Sequence, residues 1–354
     1  MTTPTSGQSI SFSQLRDEFG ATSGSSVSLG AYRISQSVGT LSNLPLDTGV
    51  PQSGTIKSSD LYAKKLNVVI DCYSGSSETR VDARAKYDAN QITIIGGFKT
   101  TTQKPSAGVG ARIITNVNKQ IGSAKGNRNN AALKTGQWGS GATMEIIIGS
   151  SGAIYGAGGN GGAGGGPSAA GAGQDGSSGL GIQYPTTIIN QGIIRSGRGG
   201  GGGGAGAQGS DRQRVQDCTG TAITLIGGGG GAGGSGLPAG TGGLRSTMLQ
   251  QGAGGESFAY AGNGTDATLT TNGSAGGSGN VTSGRCPDPN PISGGGGAIE
   301  IIGNNPSSGG VVGARGAGGA RGYAIITSTA DGGSVLSLTN NGTIDGAQVN
   351  STVL

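Results

Sequence analysis

Glycine decides what this chain can fold into. It fills 80 of 354 positions, against an ordinary share of about 7%. A residue with no Cβ brings nothing to a hydrophobic core and loses the most backbone entropy on ordering. A close-packed enzyme over the whole length is therefore excluded. Order in such a chain has to come from backbone packing and backbone hydrogen bonds. Histidine is absent, which removes the commonest general base and metal ligand. No Ser-His-Asp triad, His-bearing zinc site or HExxH is available, and no catalytic residue, metal or cofactor is expected. GxGxxG occurs many times, but at this glycine content it carries no information.

The glycines are unevenly placed. Residues 1–135 hold 14 of them and residues 136–354 hold 66. Charge divides at the same place: 15 Lys/Arg against 8 Asp/Glu before it, 8 against 10 after it. All eight later cations are arginines, at 195, 198, 212, 214, 245, 285, 315 and 321. A net charge of +5 without a basic run gives no support for nucleic-acid binding. No apolar run reaches 18 residues, so no membrane-spanning helix is expected. The polar N-terminus shows no signal-peptide pattern. The three cysteines, Cys72, Cys218 and Cys286, form no metal spacing. A Cys218–Cys286 disulfide and buried free thiols are both open.

Three short segments near the N-terminus align: Ser9–Arg16, Ser26–Arg33 and Thr55–Tyr62. Each begins with a hydroxyl residue and an aliphatic, then carries a Leu or Tyr at the seventh place. The pattern reads as a β-bridge followed by one or two helical turns, with Ser13 and Ser59 as N-caps. Such units are too small to fold alone. Residues 1–65 therefore read as an attachment segment, with Phe12, Leu15, Leu29, Tyr32, Leu61 and Tyr62 as docking candidates. The words SISFSQLRDEFG, VSLGAYR and VPQSGTIKSSDLYAK resemble the N-terminal segments of tail-fibre and virion structural proteins of marine phages, notably cyanophages. That resemblance implies attachment to other virion proteins.

Residues 66–135 read as a small sandwich-like β domain. Leu66–Cys72 is an apolar, β-branched run, and 79–87 alternates apolar and charged residues as a half-buried strand does. Gln91–Ile95 and Arg112–Val117 add two further short strands.

Two patterns interleave over 136–330. One is a motif of aliphatic strand, polar residue and glycine, repeated at Met144–Gly156, Thr187–Gly197 and Leu336–Gly346. Its polar–glycine turn suits a φ above zero, and its irregular spacing predicts stacked β-arches rather than a strict solenoid. The other is glycine at every third position or in unbroken runs, as in Gly158–Gly166, Gly199–Gly204, Gly227–Gly231 and Gly294–Gly297. Glycine with period three fits polyproline-II-type strands of three residues per turn. If buried, their N–H and C=O groups must pair with neighbouring strands. The expected fold class is mainly β: an N-terminal docking segment and β domain, then a polyglycine-II bundle with stacked β-arches, then a β tail over 331–354. A disordered linker is the competing reading, but β-forming aliphatics such as Ile223–Ile226 and Ile299–Ile302 flank the runs.

These glycine islands separated by loops, over 150–325, resemble the glycine-rich receptor-recognising adhesins at the tail-fibre tips of T-even-like phages. The resemblance implies a rigid glycine sandwich whose variable loops bind the bacterial surface. In this chain the loops hold Arg212 and Arg214, then Arg245, Phe258 and Tyr260, then Arg285, Asp288 and Asn290. Aromatic rings with arginine are common anchor chemistry at interfaces, so these eight are the receptor-binding candidates. The expectation is a non-enzymatic virion fibre protein, an adhesin displayed on a rigid scaffold, forming homo-oligomers. Its receptor would be a cell-surface glycan or an outer-membrane protein, with no nucleic acid and no membrane insertion. A purely architectural connector, collar or capsid-decoration subunit is the alternative. A polysaccharide depolymerase with paired carboxylates and a silk-like secreted protein are weaker readings.

Overall fold

The computed structural model describes residues 4–19, 29, 37–38, 41–42, 50–51, 54–72, 78–92, 105–166, 168–213, 220–226, 228–246, 249–250, 257–259, 261–278, 280–282, 298, 310–312, 314–352 and 354. Two kinds of backbone order divide the work. Aliphatic strands coil into a parallel β-helix, and glycine strands form a bundle that leaves one corner of it.

Each coil of the β-helix contributes one strand to each of three five-stranded parallel sheets. The first coil is Val68–Asp71, Glu78–Thr79 and Val81–Asp82, and the second Arg112–Val117, Gln120–Gly122 and Ala131–Lys134. The third is Thr143–Ile148, Ala153–Tyr155 and Ser178–Ile182. Thr186–Asn190, Ile193–Arg195 and Ile325–Ser328 make the fourth, and Val335–Asn340, Thr343–Asp345 and Gln348–Ser351 the fifth. Alternate side chains point inward and stack on their equivalents one coil away. Ile121, Ile154 and Ile194 form one ladder. Val81, Leu133, Leu180 and Ile325 form another. All of them lie in the main core and are buried. Burying each such aliphatic stabilises the coil by about 1.5–3 kcal/mol, which the charged and glycine-rich connections do not supply.

The three repeated motifs are the turns between the first and second faces of successive coils. Ile146 sits opposite Ile188, and Ile188 opposite Leu338. The Asn190 Nδ2 donates to the Asn340 Oδ1 at 2.7 Å, and the Asn190 Oδ1 accepts from the Gly192 N–H at 3.1 Å. Gly346, which ends the third motif, has a φ of +128°, but the turn glycines Gly152, Gly192 and Gly342 are not among those with positive φ. They are glycine because the turns stack: a Cβ on Gly192 would lie within 3.0 Å of the Gly152 and Gly149 carbonyl oxygens, and one on Gly342 would meet the Gly192 oxygen.

Three expectations change here. The sheets cross residue 135 without a break, because Arg112–Val117 pairs with Val68–Asp71 on one side and Thr143–Ile148 on the other. Residues 66–135 are thus the first two coils rather than a separate sandwich, and 331–354 closes the same helix rather than forming a separate tail. With Phe12–Phe19 as helix α1 and Ala83–Asp88 as α2, the strand expected over 79–87 stops at Asp82, which caps α2. The Asp82 Oδ1 accepts from the Ala85 N–H at 2.9 Å. Ala83 and Tyr87, four apart, share the buried helical face, and Tyr87 meets Trp138 edge-on at 5.6 Å.

The glycine strands are two insertions, 156–177 in the third coil and 196–324 in the fourth, both at the corner between the second and third faces. The second coil fills that corner with residues 123–130 and the fifth with 346–347. Within the bundle, hydrogen bonding repeats every third residue. Gly158, Gly161 and Gly164 donate to Pro238, Thr241 and Leu244, whereas Gly159, Gly162 and Gly165 donate to Arg198, Gly201 and Gly204. The third phase of the same strand, Ala157, Asn160 and Ala163, accepts from Ser177, Gln174 and Gly171. Segment 197–204 is held likewise: it donates to 171–177 and to 229–235, and accepts from 159–165 and from 316–322.

Close approach is what makes glycine necessary here. A Cβ on Gly162, Gly203 or Gly231 would fall within 3.0 Å of the backbone oxygen of Gly171, Ala163 or Gly201 respectively. At the bundle edge, side-chain carbonyls stand where a further strand's oxygens would be. Asn160 accepts from Thr241, Asp266 from Gly242, Asn263 from Arg245, Asn272 from Ser235 and Asp175 from Ala320, all at 2.7–3.0 Å.

Ion pairs tie bundle to β-helix. The Asp345 carboxylate meets Arg195 Nε at 3.0 Å and also Arg321 Nη2, and Arg321 Nε donates to the Ser196 hydroxyl at 2.7 Å. Burial pushes the Asp345 pKa up. The hydrogen bond from Arg321 and the charges of Arg321, Arg195 and Arg198 outweigh it, and hold the group below the usual carboxylate value.

The packing predicts a graded response to a single methyl group. Gly231→Ala should lower stability by about 1–3 kcal/mol, because the clashing atoms are backbone and cannot repack. Gly277→Ala meets nothing within 4 Å and should stay within about 0.5 kcal/mol. Urea unfolding of both variants checks this; equal midpoints would contradict it.

Candidate functional site

The glycine strands run alternately away from and back toward the β-helix. Segment 196–205 leaves it and becomes Gly206–Gln213, which turns back as Gly220–Ile226 in an antiparallel pair from Ala207–Ile226 to Gln213–Gly220. Segment 228–236 returns, and its turn at Leu237 rests on the β-helix: Leu237 donates to Gly156 and accepts from Ser123. Segment 240–246 leads out again to Leu249–Gln250, 261–268 leads back, and 272–277 leads out to Asn280–Thr282. Gly310–Val312 precedes the last return, 314–322.

The described strands beyond the glycine segments consequently gather at the bundle end remote from the coils. They do not stay separate loops. Leu249–Gln250, Gly220–Ile226, Gly206–Gln213 and Gly310–Val312 form one four-stranded antiparallel sheet. Ser257–Ala259 pairs with Asn280–Thr282 in a second, two-stranded one. The strand-forming aliphatics Ile223–Ile226 and Val311–Val312 carry the sequence signal for this sheet, but the pairing of segments a hundred residues apart leaves no local trace.

The structure places the receptor-binding candidates unequally. Arg212 lies on the strand Gly206–Gln213, opposite Thr221, and Phe258 lies opposite Val281. The first and second candidate loops are thus joined in one sheet, and the second and third meet at Phe258. Arg245 belongs to the scaffold instead. It is half-buried on a glycine strand, with its N–H on Asn263 and its Nη1 on the Ala261 carbonyl at 3.3 Å. Arg214, Tyr260, Arg285, Asp288 and Asn290 lie outside the described residues, as do Cys218, Cys286 and Tyr32. Cys72 is a buried thiol of the β-helix core, in no disulfide.

At the other end of the chain, α1 begins two residues earlier than the Ser13 cap implies. Ser11 is the cap: its hydroxyl accepts from the Gln14 N–H at 3.2 Å, and the Gln14 Oε1 accepts from the Ser11 N–H at 2.8 Å. Ser59 likewise lies inside the short 3-10 helix Ser58–Leu61, where the Asp60 carboxylate takes the Lys57 N–H at 2.7 Å. Leu15 and Leu61 are buried together with Val50 and Leu66, and Ile10, Leu29 and Ile56 pack against them. The Glu18 carboxylate accepts from the Leu66 N–H at 2.9 Å and ties this small core to the start of the first coil. Leu15, Leu29 and Leu61, taken from the sequence as docking residues, therefore hold the segment together. Tyr62 is half-buried and Phe12 is 58% exposed.

Among the described residues no group of three His, Cys, Asp or Glu side chains could hold a metal ion. No described helix is long and apolar enough to cross a membrane.

Comparison with known proteins gave two matches. A family model described as phage tail fibre adhesin Gp38 matches residues 82–349, a span that takes in the second to fifth coils, the whole glycine bundle and the distal strands. A solved structure, the crystal structure of the gp37-gp38 adhesin tip complex of the bacteriophage S16 long tail fiber, aligns at 20% identity over 85% of this chain and 90% of that one, with a TM-score of 0.38. No curated protein matched.

The two classes of N-terminal residue should separate on mutation. Leu61→Ala removes a fully buried side chain and should destabilise the segment by about 2–5 kcal/mol. Phe12→Ala should change stability by less than about 0.5 kcal/mol. Limited proteolysis with detection of cleavage within 1–65 distinguishes them, and equal protection of both variants would contradict the assignment.

Proposed function

The chain belongs to the Gp38 family of phage tail fibre adhesins, and we propose that it recognises a bacterial surface receptor through the excursions at the distal end of its glycine bundle. It is a component of the virion tail fibre. The observation that carries the proposal is the gathering of those excursions at one end, on strands whose every third N–H is fixed to the same neighbour. We read these strands as polyglycine-II helices. A scaffold of this kind positions loops in advance, so that binding loses less ordering entropy. Function then resides in the loop side chains, Arg212, Arg214, Phe258, Tyr260, Arg285, Asp288 and Asn290, and not in the scaffold. The mechanism is adhesion without bond-making chemistry. The receptor is an outer-membrane protein or a surface glycan, and weak contacts gain from several copies on one virion. Residues 1–65 serve attachment to another virion protein, with Phe12 as the exposed anchor.

The test is adsorption. Virions carrying Phe258→Ala with Tyr260→Ala should adsorb to host cells at least about tenfold less well, equivalent to about 1.4 kcal/mol, while the purified variant unfolds at the wild-type midpoint. Wild-type adsorption for that pair, for Arg212→Ala with Arg214→Ala, and for Arg285→Ala with Asp288→Ala would replace the adhesin reading with an architectural one.

A further inference from the structure

The neck between β-helix and bundle gathers arginine side chains around one carboxylate. Asp345 is met by Arg195 and by Arg321, and the charge of Arg198 also reaches it. Two guanidinium groups thus meet this one carboxylate directly. A fourth arginine is tied in from the second coil: Arg128 Nε donates to the Arg321 carbonyl at 2.9 Å, and its guanidinium lies 4.4 Å from the centre of the Tyr323 ring. Arg195 is similarly placed over Tyr155, at 6.0 Å.

These side chains are positioned by the fold. Arg128 comes from the corner loop of the second coil and Arg195 from the end of a fourth-coil strand. Arg198 and Arg321 lie on the first and last glycine strands of the large insertion. They converge because both insertions leave the β-helix at that corner. Arg128 and Arg195 each engage only Nε in a hydrogen bond or ion pair with a described residue, and their Nη groups are taken up by none. The Arg195, Arg321 and Asp345 side chains are 23%, 35% and 32% exposed, so the cluster is reachable from solvent without being diluted by it. Unused donors on guanidinium planes held by aromatic rings and backbone carbonyls suit a planar, bidentate acceptor. A lysine cluster would give charge without that fork.

We propose that the neck, lined by Arg128, Arg195, Arg198 and Arg321 around Asp345, is a second binding site that takes a phosphate group of a surface glycan. This rests on the adhesin reading. The distal excursions lie one glycine strand away, roughly 28 Å for nine residues. A tip engaged with a receptor in the membrane would hold its flank in the glycan layer around that receptor.

The experiment uses the full chain and two probes, inorganic phosphate and glucose 1-phosphate, each titrated against chloride at matched ionic strength. The Arg Nε–H signals of the 1H–15N spectrum provide the readout. Saturable shifts of the neck arginines are expected with both probes, with glucose 1-phosphate the tighter. Arg195→Gln with Arg198→Gln should weaken both by at least about tenfold. Should that pair fail to fold, Arg198→Gln alone replaces it, with a loss of at least about threefold expected. Shifts equal to those in chloride, or unchanged in the variants, mean an adventitious ion only and overturn the site. Equal affinity for the two probes overturns the glycan assignment. The Phe258→Ala/Tyr260→Ala protein should bind glucose 1-phosphate as wild type does. Failure of the adhesin reading would then show in adsorption alone, and failure of the neck site in the titration alone.

Discussion

Two peptide backbones can pass at hydrogen-bonding distance on every side only when neither carries a Cβ in the gap. The glycine bundle is built on that constraint. In an ordinary sheet each strand has two neighbours, and side chains fill the space above and below. Here the hydrogen bonds of one strand fan out on several sides, so that 197–204 is bonded to segments 159–165, 171–177, 229–235 and 316–322 and to Ala298. Among the described residues of the bundle no side chain larger than alanine joins an apolar core. Backbone hydrogen bonds are individually modest, of the order of 1 kcal/mol net, and they stabilise the bundle by number and by cooperation. The arrangement also explains the asparagines and aspartates among the glycines. At the edge, where the net would end in unpaired N–H groups, their side-chain carbonyls complete it.

The β-helix supplies what the glycine strands lack. Its stacked isoleucines and leucines form a conventional apolar core, and its corner fixes the direction in which both insertions leave. Asp345, on the last coil, is bound by arginines from the beginning and the end of the large insertion, so the bundle is clamped at its root. The distal sheet is then the far end of a body that is braced at the near end. Receptor contact at such a tip does not require the scaffold to change.

Much of this was legible in the sequence, for reasons that differ by element. The three repeated motifs carried their own stacking, because each coil needs an aliphatic at the same inward position and a small residue at the same turn. Their irregular spacing hid the solenoid, since insertions of 22 and 129 residues at one corner leave the coils intact while destroying the period. The turn glycines were readable as glycines but not for the right cause: close stacking, not positive φ, excludes a side chain there. The alternation over 79–87 misled because Ala83 and Tyr87 satisfy a helical face as well as a strand face, and Asp82 provides the cap that decides between them. At the candidate site, residue types singled out eight positions, of which Arg212, Arg245 and Phe258 lie among the described residues. No local pattern could reveal that strands so far apart share a sheet, or that the Arg245 N–H is bonded to Asn263 at the bundle edge.

Amide hydrogen exchange over 197–204 and 228–236 tests the central claim most directly. If the glycine strands are bonded into the net described, their N–H groups at 197, 198, 200, 201, 203 and 204 should exchange slowly, and together with the β-helix core around Ile146 and Ile188. Exchange at the rate of an unstructured glycine linker, with protection confined to the β-helix, would contradict the account.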